Sequence, residues 1–174
     1  ERFVGPLLRL AMRLLALSGS HAEHALAPVC PGPVLRTLTL LVANRDIPGV
    51  DRHLATLVSA GASWAADTGA QTTDELASLC RFYETAVRVR PKSVLRHVVP
   101  VMGTVRTALL AVVRRGAATA DSDADVALIA EQLARLLEHL CVHRKAISKY
   151  AVYALLDYFG AQETYQIPAA VKRA

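Results

Sequence analysis

The chain has 174 residues, of which 53% are apolar, and it carries a formal net charge of +5 at pH 7. This length is enough for one domain with a sizeable buried core. The sequence contains no run of about 18 uncharged apolar residues, which argues against a membrane span, and its moderate positive charge permits an acidic or nucleic-acid partner without requiring one.

Apolar residues recur at three- and four-residue steps through the first third of the chain, which predicts three helices. The first occupies residues 3–17. A loop rich in Pro and Gly is predicted at 28–33, with Pro33 suited to the first turn of a second helix that continues through 35–42. After a break at 44–50, a third helix begins with Asp51, which is placed to cap it.

The same periodicity continues in the second third. Residues 72–75 have the Thr-x-x-Glu spacing of a capping box and begin a fourth helix, which ends at Pro91. A long fifth helix begins at Ser93. It contains Pro100 and Gly103, which predict a kink or a split.

The last third begins with an acidic loop predicted at 116–125, followed by a sixth helix at 126–140 and a seventh at 147–159. The start of an eighth helix closes the chain. In the seventh helix we expect Tyr150 and Tyr158 to bury their rings against the sixth, with their hydroxyls reaching polar partners at the edge.

Seven or eight helices joined by short links predict an all-α fold. Antiparallel helical hairpins would be stacked either as a degenerate HEAT-like solenoid or as an irregular bundle, because no fixed-period consensus is present. We interpret residues 1–174 as one helical-repeat segment of a longer protein, since the chain lacks an initial Met and ends within a predicted helix.

The three cysteines, Cys30, Cys80 and Cys141, are far apart and form no Cys-x-x-Cys pair. An odd, dispersed set is typical of reduced thiols in an intracellular compartment. Because Cys80 and Cys141 fall on apolar helical stripes, we expect both to be buried, reduced and free of metal.

No metal or catalytic site is predicted. The pairs His21/His24 and His139/His143 lack the additional ligands that zinc requires, so a polar loop and a helix end are the favoured roles. The sequence contains no nucleophile elbow, phosphate-binding loop or dinucleotide-binding motif. We therefore expect no enzyme activity and no cofactor.

Basic residues are concentrated after residue 80. Between Arg81 and Arg115, eight Lys and Arg residues accompany a single acidic residue, Glu84. Turns between stacked helices lie at one edge, where basic side chains suit phosphate backbones or acidic protein tails. A plain solvated surface is the equally weighted alternative. The predicted partner- or RNA-binding residues are Arg88, Arg90, Lys92, Arg96, Arg144, Lys145 and Lys149.

Several segments of the second half stand in a recognisable order. They are Leu79–Tyr83, Arg88–Pro91, Leu95–Pro100, Leu133–Glu138, Lys149–Phe159 and Ile167–Ala174. In this order they resemble the C-terminal domain of the Urb/Npa nucleolar pre-ribosomal RNA processing family, of the "unhealthy ribosome biogenesis protein two" type. The resemblance covers about residues 76–174, whereas residues 1–75 match only in being helical. Its least generic part is the cluster Tyr150, Tyr153, Asp157 and Tyr158.

This resemblance implies a nuclear, nucleolar helical scaffold without catalytic residues, acting in early large-subunit ribosome assembly and pre-rRNA processing. The expected partners are proteins of a large assembly, with pre-ribosomal RNA as a further candidate and no membrane. One alternative is a solenoid adaptor in trafficking or cytoskeletal assembly that binds no nucleic acid. Another is an enzyme of unrecognised class, which would need a pocket with convergent polar groups.

Overall fold

A computed structural model describes residues 4–19, 31–66, 72–118 and 123–143, and these residues contain no strand, which confirms the all-α prediction. No helix among them is both long enough and apolar enough to cross a membrane. The elements are α1 (Val4–Gly19), α2 (Pro31–Ala43), α3 (Val50–Ala66), α4 (Thr73–Val89), α5 (Pro91–Val94), a 3-10 turn (Leu95–His97), α6 (Val98–Ala118) and α7 (Asp123–His143).

The helices pack in two layers. In the first, here called layer A, α3 lies between α1 and α6, and α5 leads into α6 through the 3-10 turn. In the second, layer B, α4 lies between α2 and α7. Successive long helices thus alternate between the layers, which is the packing order of stacked helical hairpins.

One continuous core fills the space between the layers, and every long helix contributes to it. Apolar residues at three- and four-residue spacing place one face of each helix inward. The largest fully buried side chains are Leu8, Leu35, Leu38, Leu54, Leu57, Leu76, Leu79, Phe82, Tyr83, Ile129 and Leu133.

The start of α4 has the predicted capping box. The Thr72 hydroxyl accepts a hydrogen bond from the Glu75 backbone N–H at 3.3 Å, and the Glu75 carboxylate accepts one from the Thr72 N–H at 2.8 Å. Two N–H groups that the helix cannot satisfy internally are therefore paired.

The predicted fifth helix is split, as its Pro100 and Gly103 indicated. The break is the 3-10 turn Leu95–His97, so Pro100 lies in the first turn of α6 rather than in the interior of one long helix. Because Pro100 has no N–H to bond the carbonyl four residues before it, the regular helix is interrupted one turn ahead of the proline.

Two predicted loops were too long. Helix α2 begins at Pro31, so the loop ends earlier than predicted, whereas the position of Pro33 in the first turn is confirmed. Proline fits there because its fixed φ angle is helical and the missing N–H would be unpaired anyway. Residues 116–118 end α6 and residues 123–125 begin α7. Helix α3 begins at Val50, so Asp51 lies in its first turn, where the positive end of the helix dipole stabilises a carboxylate.

Other predictions lie outside the described residues. They concern the seventh and eighth helices with Tyr150, Tyr153, Asp157 and Tyr158, and also His21, His24 and Cys30.

Candidate nucleic-acid and partner interface

Arg90 brings two inter-helix turns together at one edge of the stack. Its guanidinium donates hydrogen bonds from Nε to the Val42 carbonyl at 3.2 Å and from Nη2 to the Asn44 carbonyl at 2.7 Å. Helices α2 and α4 therefore end at the same edge. The basic turn after α4 lies beside the α2–α3 loop.

The remaining donor of Arg90, Nη1, lies 2.6 Å from the Asp51 carboxylate. The other Asp51 oxygen accepts a hydrogen bond from the Ser93 hydroxyl at 2.8 Å. The Arg90 side chain is only 8% exposed. Charge-assisted bonds of this kind are the stronger hydrogen bonds in proteins, so the guanidinium is engaged in holding α2, α3 and α4 together.

Arg88 belongs to layer B. Its Nε lies 3.8 Å from the Glu84 carboxylate one turn earlier, and its side chain is 57% exposed. The same Glu84 oxygen lies 3.4 Å from Nε2 of His139 on α7. His139 thus contacts a carboxylate of α4. Among the described residues, no group of three or more His, Cys, Asp or Glu could hold a metal ion.

Lys92, in α5, and Arg96, in the 3-10 turn, are exposed residues of layer A. The four described residues of the predicted site therefore divide into an engaged Arg90, an Arg88 on layer B, and the Lys92/Arg96 pair on layer A. The others, Arg144, Lys145 and Lys149, lie outside the described residues.

Arg52 and the polar stripe that follows it along α3 were not predicted from the sequence. Arg52, Thr56, Ser59 and Ser63 are all exposed. Their steps of four, three and four residues put them on one face of the helix. The same periodicity that defined the apolar face would have revealed this stripe.

An apolar groove between α1 and α2 was also missed. It has a volume of about 150 Å³ and is lined by Leu7, Leu10, Ala11, Val34, Thr37, Leu38 and Leu41. Leu7 and Leu10 are 41% and 53% exposed. The Thr37 hydroxyl is engaged with the Pro33 carbonyl at 2.9 Å, so the groove offers mainly carbon atoms to a ligand.

A buried polar contact joins the two layers at their centre. The Tyr83 hydroxyl donates to the Val58 carbonyl at 2.9 Å and accepts from the Thr104 hydroxyl at 3.4 Å. Burial raises the pKa of Tyr83 above its ordinary value, more than the Thr104 hydrogen bond lowers it. A tyrosine held neutral in this way has a structural role.

The two described cysteines differ. Cys80 is buried, as predicted, and burial raises the pKa of its thiol to about 12, so it is un-ionised at neutral pH. The prediction that Cys141 is buried was wrong, because this residue is exposed. Leu140 faces the core, and one step along the helix turns the next side chain by about 100° towards solvent.

The fold and these surfaces define an all-α protein of stacked helices whose exposed basic side chains are arranged along the helices. A model of the Urb2/Npa2 family matches residues 10–174, and the chain belongs to this family of ribosome biogenesis factors, which act in rRNA processing. The match begins well before residue 76, where the resemblance in sequence was expected to start. No curated protein and no solved structure matches the chain.

Proposed function

We propose that the chain is a non-enzymatic helical scaffold in the early assembly of the large ribosomal subunit, where it binds other assembly proteins and pre-ribosomal RNA. The observation that carries this proposal is the family match over residues 10–174. A role in ribosome assembly favours the scaffold function over that of an adaptor in trafficking or in the cytoskeleton. The reason is that ribosomal precursors are large ribonucleoprotein particles.

The described geometry supports a binding role. The Tyr83 hydroxyl and the Arg90 guanidinium pair within the fold, with Val58 and Asp51 respectively. The α1–α2 groove is lined by carbon atoms rather than by convergent polar groups, which an active site requires. Wide exposed helix faces remain for partners.

The proposed location is the nucleolus, because early precursors of the large subunit are assembled there. The family supports a nuclear location. The net charge of +5 is compatible with a compartment rich in RNA, since a positive surface raises the rate of encounter with polyanions.

Sedimentation and depletion of the protein as it occurs in the cell test this proposal. When it is tagged at its own locus, we expect it to co-sediment with precursors of the large subunit. Its depletion should lower the precursor rRNAs of the large subunit and spare those of the small subunit. Sedimentation as free protein, with rRNA processing unchanged on depletion, would contradict the proposal. Enrichment with membranes or cytoskeletal polymers would instead support the adaptor alternative.

A further inference from the structure

Charge is divided unequally between the two layers. The described helices of layer A, together with the 3-10 turn, contain eight Lys and Arg residues and one acidic residue, Asp51. Those of layer B contain four Lys and Arg residues and seven acidic residues. The basic character of the chain therefore belongs to one layer.

The one carboxylate on the described layer A helices is already engaged. Asp51 binds the Arg90 guanidinium at 2.6 Å with one oxygen and the Ser93 hydroxyl at 2.8 Å with the other. It therefore leaves little uncompensated negative charge on this layer to repel a polyanion.

The exposed residues of α3 lie on the outer face of layer A. Helix α3 is flanked by α1 and α6, and its opposite face is buried against the core, so its exposed stripe must point outward. This stripe consists of Arg52, Thr56, Ser59 and Ser63. It offers one cation and three hydroxyl groups.

A second exposed stripe runs along α5 and α6, beside α3. Its members, Lys92, Arg96, Val99 and Gly103, are all exposed and follow steps of four, three and four residues. No positive φ requires glycine at position 103, and an added Cβ would have no atom within 4 Å. Neither a turn nor internal packing therefore requires this glycine, and the bare backbone allows a ligand to approach closely.

We propose that these two stripes bind the phosphate backbone of nucleic acid. Arg52, Lys92 and Arg96 would pair with phosphates, and the hydroxyls of α3 would donate hydrogen bonds to phosphate oxygens. Adjacent packed helices lie about 8–10 Å apart. The one cation of the first stripe and the two cations of the second would therefore lie within reach of neighbouring phosphates. Arg, Lys, Ser and Thr side chains are among the groups that donate hydrogen bonds to nucleic-acid backbones.

The stripe on α3 favours a phosphate backbone over an acidic protein helix. A helix of another protein would need an apolar seat to dock, and the exposed residues Arg52, Thr56, Ser59 and Ser63 provide none. Hydroxyl donors between cations suit a surface of repeating phosphates. That the nucleic acid is RNA rests on the function proposed above.

Filter binding of the purified 174-residue chain to a duplex RNA of about 20 base pairs tests this inference. Measurements at about 50 and 200 mM salt give the counterion-release slope. The test variant is Arg52→Glu with Arg96→Glu. The matched control is Arg36→Glu with Arg81→Glu, two exposed arginines of layer B, which gives the same change in net charge.

We expect the layer A variant to bind at least about tenfold more weakly at the lower salt and to lose about two from the slope, because each phosphate contact contributes about one. The control should bind within about threefold of the unmodified chain. Equal losses in both variants would show an effect of net charge alone and would overturn the proposal, as would unchanged binding by the layer A variant.

Two further binding measurements, with a DNA duplex and with polyglutamate, identify the ligand. Equal binding of a DNA duplex supports the proposed face, since the phosphate chemistry is shared. If polyglutamate binds through Arg52 and Arg96 while duplex RNA does not, the ligand is an acidic protein and the proposal fails. Circular dichroism checks folding, and Arg52→Gln with Arg96→Gln repeats the test without added negative charge. Failure here would leave co-sedimentation with ribosomal precursors unaffected, so the two proposals fail separately.

Discussion

Helices α3 and α4 occupy the same position in the two layers and have the same length, 17 residues, yet they are buried to different extents. Eleven residues of α4 are buried, compared with seven of α3. The two central helices therefore have different roles. Helix α4 supplies most of its surface to the interior, whereas α3 keeps a polar face available to solvent and partners.

The side chains of the two helices explain this difference. Helix α4 carries large groups such as Phe82 and Tyr83, whose ring centroids lie 5.5 Å apart, and their burial contributes strongly to a core. Helix α3 is richer in Ala, Ser and Gly. At its centre Gly61 allows the Tyr83 hydroxyl to approach, so the small residue on α3 and the large one on α4 are complementary.

The largest effect on stability is expected for Arg90→Ala. This change removes the ion pair to Asp51 and leaves the Val42 and Asn44 carbonyls without their donors. We expect a loss of about 2–3 kcal/mol in the free energy of unfolding, less than for a fully buried pair because the Asp51 side chain is 52% exposed and can be hydrated.

Urea denaturation measures this loss, and Arg88→Ala is the matched control. Arg88 is more exposed and its ion pair with Glu84 is longer, so its removal should cost less than about 0.5 kcal/mol. Similar losses in the two variants would show that Arg90 does not tie the edge of the stack together.

A pair of glycine substitutions compares the interior with the outer face. A Cβ at position 61 would lie 2.8 Å from the Tyr83 hydroxyl and 2.9 Å from Cδ1 of Leu79. Because Tyr83 is fully buried and hydrogen-bonded, it cannot easily retreat. We expect Gly61→Ala to destabilise the fold by about 1–2 kcal/mol, as overpacked cores commonly are.

Gly103→Ala should have the opposite sign. An added methyl group there meets open space, and alanine is the better helix former, so a gain of about 0.5–1 kcal/mol is expected. Measuring the free energies of unfolding of the Gly61→Ala and Gly103→Ala variants tests both expectations. A stabilising Gly61→Ala would mean that α3 and α4 are not in close contact at this point.

The buried thiol of Cys80 predicts a loss of stability at alkaline pH. Its pKa rises from 9.0 to about 12 on folding. The protonated thiol's contribution is fully present below the unfolded pKa of 9.0 and is lost as pH rises through the window up to the folded value. Between pH 8 and pH 10, the chain should therefore lose about 1.4 kcal/mol more than Cys80→Ala does.

Urea titrations of both proteins at the two pH values isolate this thiol, because all other titrating groups are shared. The expected sign is a steeper decline for the unmodified chain. Parallel declines would indicate that Cys80 is accessible to water and not enclosed by α4 and its neighbours.

A modest loss of stability is expected for a substitution at the start of α4. Thr72→Ala removes the hydroxyl that accepts from the Glu75 N–H, which should cost about 1 kcal/mol. Thr72→Ser keeps the acceptor and serves as the control, with thermal unfolding as the measurement. Equal destabilisation by both changes would argue against the capping box.

The helices were predictable because their apolar periodicity and end signals are local. The Thr72–Glu75 capping box and the Pro100 interruption both depend on residues within one turn of each other. The loops at 28–33 and 116–125 were overestimated, because Pro, Gly and Asp also occur in the first and last turns of helices.

The candidate site was less predictable, because it depends on how the helices are packed. Arg90 and Lys92 are neighbours in a basic run, but only the fold shows that Arg90 turns inward to residues 39 to 48 positions earlier in the chain. The layers separate charges that alternate along the sequence. Arg52 and Arg96 both lie in layer A although 44 positions separate them in the chain.

We infer that the outer face of α3 and α5–α6 has no part in holding the fold together, whereas α4 and Arg90 do. The most direct test is the free energy of unfolding of the chain carrying both Arg52→Glu and Arg96→Glu. We expect a value within about 0.5 kcal/mol of the unmodified chain, as for substitutions on a solvated surface. A loss of about 2 kcal/mol or more would contradict it, because these arginines would then be part of the structure rather than free for a partner.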